Sequence, residues 1–172
     1  MDNQADRNAS IKKLGELIED FGIAMLTTID DDGALRSRPM GTQQIEFDGD
    51  LWFFAGASSA KAHEVRRDQR VNISYAKPDQ QRYVSVSGTA ELVRDQAKIK
   101  ELWKPIFKAW FPQGLEDPDL GLLKINVEQA EYWDAPSSKV VALIGFVKAL
   151  ATGRQAEIGE NEKIDLEHGQ AV

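Results

Sequence analysis

Turn signals divide residues 23–55 into three short segments with strand character. Residues 23–29 are mostly apolar or β-branched, and the sequence Asp30-Asp31-Asp32-Gly33 that follows is typical of a tight hairpin turn. Residues 34–47 are predicted as a second strand, Asp48-Gly49 as a second hairpin turn, and residues 51–55 as a third strand. Because hairpins join consecutive antiparallel strands, we expect these three strands to form a meander.

The rest of the chain is predicted to contain both helices and strands. Apolar residues at helical spacing predict a helix over 11–21, with Ser10 as its cap and Gly22 as its stop. By the same criteria we predict further helices at 60–67, 95–108 and 139–150, and further strands at 71–75, 83–92, 120–127 and 130–133. The expected class is α+β and mainly β, an antiparallel β-barrel, closed or nearly so, with helices at its ends. Its domain would span residues 10–153, between a tail at 1–9 and a mobile polar tail at 154–172.

Composition excludes several functions. The chain has 172 residues and a net charge of −7, which makes it a poor partner for nucleic acid, although one small phosphate could still bind. It has no cysteine, so disulfides, thiolate catalysis and cysteine-ligated metals are excluded. The longest apolar run, 140–147, is too short to span a bilayer, and the residues MDNQADRNAS lack the build of a secretory signal. We therefore expect a soluble, cytoplasmic protein.

Three residues have the chemistry to hold a phosphate group. Ser59 and Lys61 stand at the start of a predicted helix, where backbone N–H groups favour an anion. Arg38 precedes Pro39, and proline cannot donate to a sheet ladder, so a local break in the strand would free backbone groups for a ligand. Each residue also has an ordinary explanation, because a serine before a helix is commonly an N-cap and a strand arginine commonly points to solvent.

Aromatic residues near these positions suit a flat apolar ligand. Trp52, Phe53 and Phe54 occupy both faces of one strand, so at least one should pack in the core while another could face a ligand. Trp133 could cover a ring, although core or interface packing explains it equally well. A phosphate site together with a ring site suggests a nucleotide-like cofactor.

Other chemistry has little support in the sequence. His63 has no second histidine at metal-ligand spacing, and the acidic run Asp30–Asp32 lacks the spaced ligands of a calcium loop. A nucleophile elbow, a Walker loop and a dinucleotide glycine fingerprint are all absent from the sequence. We therefore expect no metal site and no hydrolase activity.

Several motifs, taken in order, resemble the FMN-binding split-barrel superfamily, whose best-known members are the pyridoxamine 5′-phosphate oxidases. They are RSRPM, LWFF, SSAKAHEVRRDQRVNISY, YVSVSGTAEL and EYWD. The resemblance is closer to the bacterial general stress protein branch and covers residues 10–153. It implies a homodimer that binds FMN, or FAD, in a cleft at the subunit interface.

The resemblance also implies which residues hold the flavin. Arg38, Ser59 and Lys61 would bind its phosphate, and Trp133 would approach it from the partner subunit. The remaining cofactor-binding residues would be Pro39, Met40, Gln43, Phe53 and Phe54. Tyr83 stands where the oxidases carry a flavin-contacting glutamine, so that contact is not carried over.

One departure from the oxidases bears on function. They use an arginine–histidine motif after the tryptophan to bind the pyridoxal substrate, whereas here Trp133 is followed by neither residue until Arg154. This disfavours pyridoxamine phosphate oxidation. The sequence therefore predicts a flavin-binding general stress protein with oxidoreductase activity, and leaves open a flavin carrier without turnover or an oxidase or reductase for a specific substrate. It indicates no catalytic residue.

Overall fold

A computed structural model describes residues 2–134 and 160–166 of the chain. Its helices are α1 (Asp2–Ile18), α2 (Ala60–Arg67) and α3 (Gln96–Leu102), with two short 3-10 helices at Pro105–Ala109 and Gly114–Glu116. Its strands are β1 (Ile23–Ile29), β2 (Leu35–Gly41), β3 (Asp50–Gly56), β4 (Arg70–Lys77), β5 (Arg82–Val93), β6 (Leu120–Asp134) and β7 (Glu160–Asp165). The predicted helix at 139–150 lies outside the described residues.

The strands form one antiparallel sheet in the order β2-β1-β4-β5-β6-β3, with β7 also paired to β6. A mainly antiparallel β structure with flanking helices is therefore confirmed. Hydrogen bonds do not close the sheet into a barrel, since β2 and β3 end the order and do not pair with each other within the described part of the chain. These two strands nevertheless lie in contact.

The predicted first hairpin is confirmed, but the meander is wrong. The Asp30 carboxylate accepts hydrogen bonds from the backbone of Asp32 and Ala34 at 3.0 and 2.9 Å, and Gly33 takes a φ of 80°, which glycine tolerates. Strand β2 then ends at Gly41 instead of reaching residue 47, and β3 pairs with β6. A pairing partner about 70 residues distant leaves no local turn signal in the sequence.

Strand β6 is a single strand where two were predicted. Its 15 residues pair along one edge with β5, while its other edge pairs with β3 in the first half and β7 in the second. The register against β5 shifts between Ser87 and Gly88, where the backbone of Asn126 leaves no room for a Cβ on the glycine. Residues 160–165, which fall within the segment predicted as a tail, form strand β7.

Two hydrophobic clusters lie on opposite sides of β3 and β6. The main core packs α1 against the inner face of the sheet and contains Phe53, Leu123 and Tyr132 among its buried residues. The second cluster joins α3 and the 3-10 helices to the other face of β3, with Ile99 and Leu122 at its centre. Because both faces of β3 are covered, neighbouring side chains on this strand enter different environments.

The helices predicted at 11–21, 60–67 and 95–108 are confirmed with adjusted ends. Helix α2 spans the predicted residues 60–67, whereas α1 runs from Asp2, eight residues before the predicted cap Ser10, to Ile18. Asp95 caps α3 by accepting from the backbone of Ala97 and Lys98. This helix ends at Leu102, before Pro105, which begins a 3-10 helix.

Candidate functional site

A cleft of about 520 Å³ lies where the two end strands of the sheet approach each other. It is lined by β2 on one side, by β3 and the start of α2 on the other, and by the first 3-10 segment above. The lining residues are Ile23, Pro39, Met40, Gly41, Gln43, Phe54, Ala55, Gly56, Lys61, Phe107, Trp110, Phe111 and Asp119. A volume of this size suits a cofactor or drug-sized ligand.

Five of the nine residues predicted to bind the cofactor meet in this cleft. They are Pro39, Met40, Gln43, Phe54 and Lys61. The other four, Arg38, Phe53, Ser59 and Trp133, do not line it within the single chain. The contacts of each of these four residues, described below, explain why its side chain lies elsewhere.

Phe54 anchors an aromatic wall of the cleft. Its ring centroid lies 4.4 Å from that of Phe107 and 5.9 Å from that of Trp103, and Trp103 and Phe107 also contact each other at 5.8 Å. The adjacent Trp110 is 70% exposed yet lines the same cleft. The packed neighbours hold this wall in place, so its open side presents apolar surface to a ligand.

The sequence prediction missed the residues of this wall beyond Phe54. It extended a helix to residue 108 and treated the following residues as a loop, whereas Pro105–Ala109 forms a 3-10 helix. The dense aromatic spacing of Trp103, Phe107, Trp110 and Phe111 was the signal that could have located them.

Phe53 points to the opposite side of β3. Its side chain is 1% exposed and belongs to the main core, together with Leu51 and Ala55. Alternation along the strand places Phe53 inside and Phe54 toward the cleft. Only one of the two predicted phenylalanines therefore faces the candidate site.

Gln43 brings a buried amide to the cleft. Its Nε2 lies 3.4 Å from the backbone oxygen of Gly41, while its Oε1 is buried and accepts no hydrogen bond from the described residues. A buried acceptor without a donor costs free energy that a ligand N–H or O–H could recover. Gln43 lines this cleft and also a smaller cavity that Ile18, Phe47 and Tyr75 line, so its side chain lies between the two.

Lys61 supplies positive charge at the α2 end of the cleft. Burial, followed by the nearby Arg38 guanidinium, holds the pKa of Lys61 below its usual range. Ser59 is the N-cap of α2, because its hydroxyl accepts from the backbone of Ala62 at 3.4 Å and donates to Gly56 O at 2.6 Å. The ordinary explanation of Ser59 is thus correct, and it positions the helix that carries Lys61.

Arg38 is committed to a buried network instead of the cleft. Its Nη2 donates to Oε2 of Glu64 at 2.8 Å, and its Nη1 donates to the hydroxyl of Thr28. The Thr28 hydroxyl in turn donates to the same Glu64 oxygen at 2.5 Å. Thr28 and Glu64 are both buried, so this arrangement ties β1, β2 and α2 together beneath Lys61.

Asp119 places a carboxylate at the same end of the cleft. Its Oδ1 accepts from the backbone N–H of Ser58 at 2.7 Å, and its Oδ2 lies against Gly56 so closely that a Cβ there would overlap it. The backbone oxygen of Asp119 also accepts from Ala57 at 2.7 Å. Glu64, and after it Asp119, act on Lys61 by raising its pKa, which partly offsets the effects of burial and Arg38.

Trp133 lies on the outer face of the sheet, away from the cleft. It is 39% exposed and pairs in register with Tyr83 of β5, which is also exposed. Ile23 and Met25 of β1 are further exposed apolar residues in the outward positions of their strand. Ile23 and Pro39 lie on this face and also line the cleft, so the cleft opens toward the exposed apolar surface.

The described residues offer neither a metal-binding cluster nor a membrane-spanning helix. Within residues 2–134 and 160–166, three or more potential metal-binding side chains do not cluster at any point. None of the helices there has the length and apolar composition of a membrane span.

The chain is thus a mainly antiparallel β protein with an apolar cleft that carries charged residues at one end. Residues 9–157 match the model of the family described as "Pyridoxamine 5′-phosphate oxidase like", and the chain belongs to this family. The resemblance inferred from the motifs is thereby confirmed.

Known proteins of similar sequence or structure include a fungal protein and two bacterial ones. Protein bli-3 of Neurospora crassa is 27% identical over 99% of this chain and 87% of its own length. A candidate general stress protein 26 from Jannaschia sp. CCS1 is 24% identical, has a TM-score of 0.71, and matches over 92% of this chain and 99% of its own. The general stress FMN/FAD binding protein of Xanthomonas citri is 27% identical, has a TM-score of 0.64, and matches over 76% of this chain and 92% of its own.

Proposed function

We propose that this chain is a flavin-binding general stress protein that holds FMN in the cleft between β2 and β3. The observation that carries the proposal is that one cleft is lined by the aromatic wall, by Lys61 and by Gln43, whose Oε1 accepts no hydrogen bond from the described residues. An isoalloxazine ring combines flat apolar surface with a polar edge that contains an N–H donor, so the residues present fit this group. The flavin would supply the redox chemistry, which side chains alone do not provide.

Each end of the cleft suits a different part of the cofactor. Phe54, Pro39 and Met40 would pack against the ring, and the Gln43 amide would pair with its polar edge. Lys61 and the start of α2 would neutralise the phosphate, since both a lysine ammonium and a helix N-terminus attract anions. Arg38 would contribute through its charge and by fixing α2 to the sheet, while its hydrogen bonds go to Glu64 and Thr28.

The exposed apolar face is proposed as the contact surface of a homodimer. Ile23, Met25, Tyr83 and Trp133 form an apolar surface on one side of the sheet that the described residues leave uncovered. Because the cleft opens toward this face, a second copy would complete it and could bring its own Trp133 to the flavin. We also propose that the sheet is a split barrel, in which β2 and β3 border the opening and lie in contact without pairing.

The flavin proposal is tested by titrating purified protein with FMN and with riboflavin, which lacks the phosphate. Replacing Gln43 with leucine should weaken the binding of both ligands by about 5- to 100-fold, the effect of about 1–3 kcal/mol for a lost hydrogen bond. Replacing Lys61 with alanine should weaken FMN alone. Gln80→Leu and Lys104→Ala alter exposed residues outside the cleft and serve as matched controls.

Two results of this titration would contradict the flavin proposal. A wild-type protein that takes up neither FMN nor FAD would refute the function. Equal losses in Gln43→Leu and Gln80→Leu would show that the ring lies elsewhere.

Oxidoreductase activity is the further part of the proposal and needs its own measurement. Under nitrogen, NADH or NADPH should bleach the flavin absorbance near 450 nm on the order of seconds to minutes, as turnover on the usual enzyme timescale requires. Readmitted oxygen should then restore the colour. A coloured protein that neither nucleotide bleaches would instead be a flavin carrier.

The dimer is tested by light scattering after size-exclusion chromatography. Met25→Glu places a charge in the middle of the proposed contact and should yield a monomer. Ile106→Glu changes a residue that is 65% exposed on a 3-10 helix and should leave the mass unchanged. A wild-type protein of monomeric mass would contradict this assembly.

A further inference from the structure

Asp119 is the carboxylate of the cleft that the proposed function does not use. Hydrogen bonds hold it at both ends, since its Oδ1 accepts from Ser58 at 2.7 Å and its backbone N–H donates to Oδ1 of Asp117 at 3.1 Å. Its Oδ2 packs against Gly56 where β3 leads toward α2. The carboxylate therefore has a fixed position at the phosphate-binding end of the cleft.

Charges of both signs surround this end of the cleft. Lys61, Arg38, Glu64 and Asp119 act on one another there, and Arg66 and Arg94 donate to the backbone oxygens of Ala57 and Pro118 beside Asp119. The Arg38 guanidinium lies 2.8 Å from Glu64, so that pair is largely neutral to an incoming ligand. Glu64 raises the pKa of Lys61 more than Asp119 does, but Glu64 is buried in its pair with Arg38. Lys61 and Asp119 are the two charged residues that line the cleft itself.

We propose that Asp119 determines how strongly the cleft favours a phosphorylated flavin over riboflavin. The proposal rests on the proposed function. Its basis is that the Asp119 carboxylate already accepts the hydrogen bond of the Ser58 N–H and interacts electrostatically with the Lys61 ammonium. A phosphate monoester carries about two negative charges at neutral pH and would need the same donors. Asp119 thus lowers the affinity for FMN by competition and by like-charge repulsion, while riboflavin has no charge for it to oppose.

The charge of Asp119 should affect the affinities for FMN, FAD and riboflavin to different extents. The diphosphate of FAD carries one charge on each phosphorus, so the local repulsion by Asp119 is smaller than for the FMN monoester. Removing the charge of Asp119 should therefore help FMN most, FAD less and riboflavin not at all.

The test compares Asp119→Asn with the wild-type protein by fluorescence titration with these three ligands. The asparagine keeps an oxygen that can accept from Ser58 and removes the charge. We expect FMN to bind about five- to tenfold more tightly, the size of one partly screened like-charge contact, with riboflavin unchanged. Glu116→Gln removes one charge from an exposed position on the same loop and should leave all three affinities as they were.

The possible outcomes separate this proposal from the function on which it rests. If the wild-type protein binds no flavin, both are refuted. If it binds FMN and Asp119→Asn binds FMN no more tightly than Glu116→Gln does, only the role of Asp119 is refuted. Asp119→Ser, which also keeps an oxygen without the charge, must give the same order of affinities, so one poorly folded variant does not decide the outcome.

Discussion

Arg38 should contribute more to the stability of the fold than to cofactor binding. Replacing it with methionine keeps most of the apolar stem and removes the guanidinium. The carboxylate of Glu64, whose side chain is only 10% exposed, would then keep the Thr28 hydroxyl as its one remaining partner in the network. A buried carboxylate that loses its cation is strongly destabilising.

The size of the effect follows from how buried the pair is. Removing one partner of a fully buried ion pair costs about 3–5 kcal/mol. Because the Arg38 side chain is 23% exposed, water can partly replace it, and we expect a loss of about 2–3 kcal/mol. For a domain of this size that loss corresponds to a decrease in Tm of about 5–10 °C.

Urea denaturation of the flavin-free protein at one fixed concentration measures this loss. The matched control is Arg36→Met on the same strand, because Arg36 is 60% exposed in its pair with Asp30 and should contribute much less to stability than Arg38. The double variant Arg38→Met with Glu64→Leu should lose at least about 1.5 kcal/mol less than the sum of the two single variants, since it removes both charges.

Two results would refute this reasoning about Arg38. The first is an unfolding free energy of Arg38→Met within about 0.5 kcal/mol of Arg36→Met, which is the usual spread for a surface substitution. The second is additive behaviour of Arg38→Met and Glu64→Leu, which would show that the two side chains do not interact in solution.

Two further predictions concern the sheet and Lys61. Gly88→Ala should lower the unfolding free energy by about 2–4 kcal/mol, because the new Cβ would overlap the backbone of Asn126; Gly22→Ala, with open space around it, is the control in the same urea experiment. The pKa of Lys61 is held below its ordinary value of 10.5, so the ammonium is lost at a lower pH than in a free lysine, and the ratio of FMN to riboflavin affinity should begin to fall below pH 10.5. Lys61→Arg stays charged and should keep that ratio constant over the same titration; a constant ratio in the wild-type protein would contradict the assignment.

Local sequence signals predicted most elements and failed at their long-range pairing. The turn at Asp30–Gly33 and the helix at Ala60–Arg67 follow from residues adjacent in sequence, and both were found. The partner of β3 was not, because the alternation along a strand separates its two faces but does not select its neighbour in the sheet. That choice depends on β6, which begins only at Leu120.

The prediction of the site residues likewise succeeded where local sequence was enough and failed where distant contacts decide the position of a side chain. Residue chemistry pointed to Lys61 and the family resemblance pointed to Gln43, and both residues line the cleft. It could not separate Phe53 from Phe54, because their directions depend on which face of β3 meets the main core. Nor could it show that Arg38 is paired, since Glu64 lies 26 residues away.

The position of the cleft connects cofactor binding with the incomplete closure of the sheet. Strands β2 and β3 each pair along one edge only, so their other edges meet at the cleft without a hydrogen-bonded ladder within the described residues. Unpaired edges are a liability that proteins usually cover. A cofactor held by Pro39 and Met40 on one edge and by Phe54 on the other would cover both, and a second copy of the chain on the adjoining apolar face would enclose it. In this view the gap in the sheet is what makes room for the cofactor, and cofactor binding should in turn stabilise the two strands that border it.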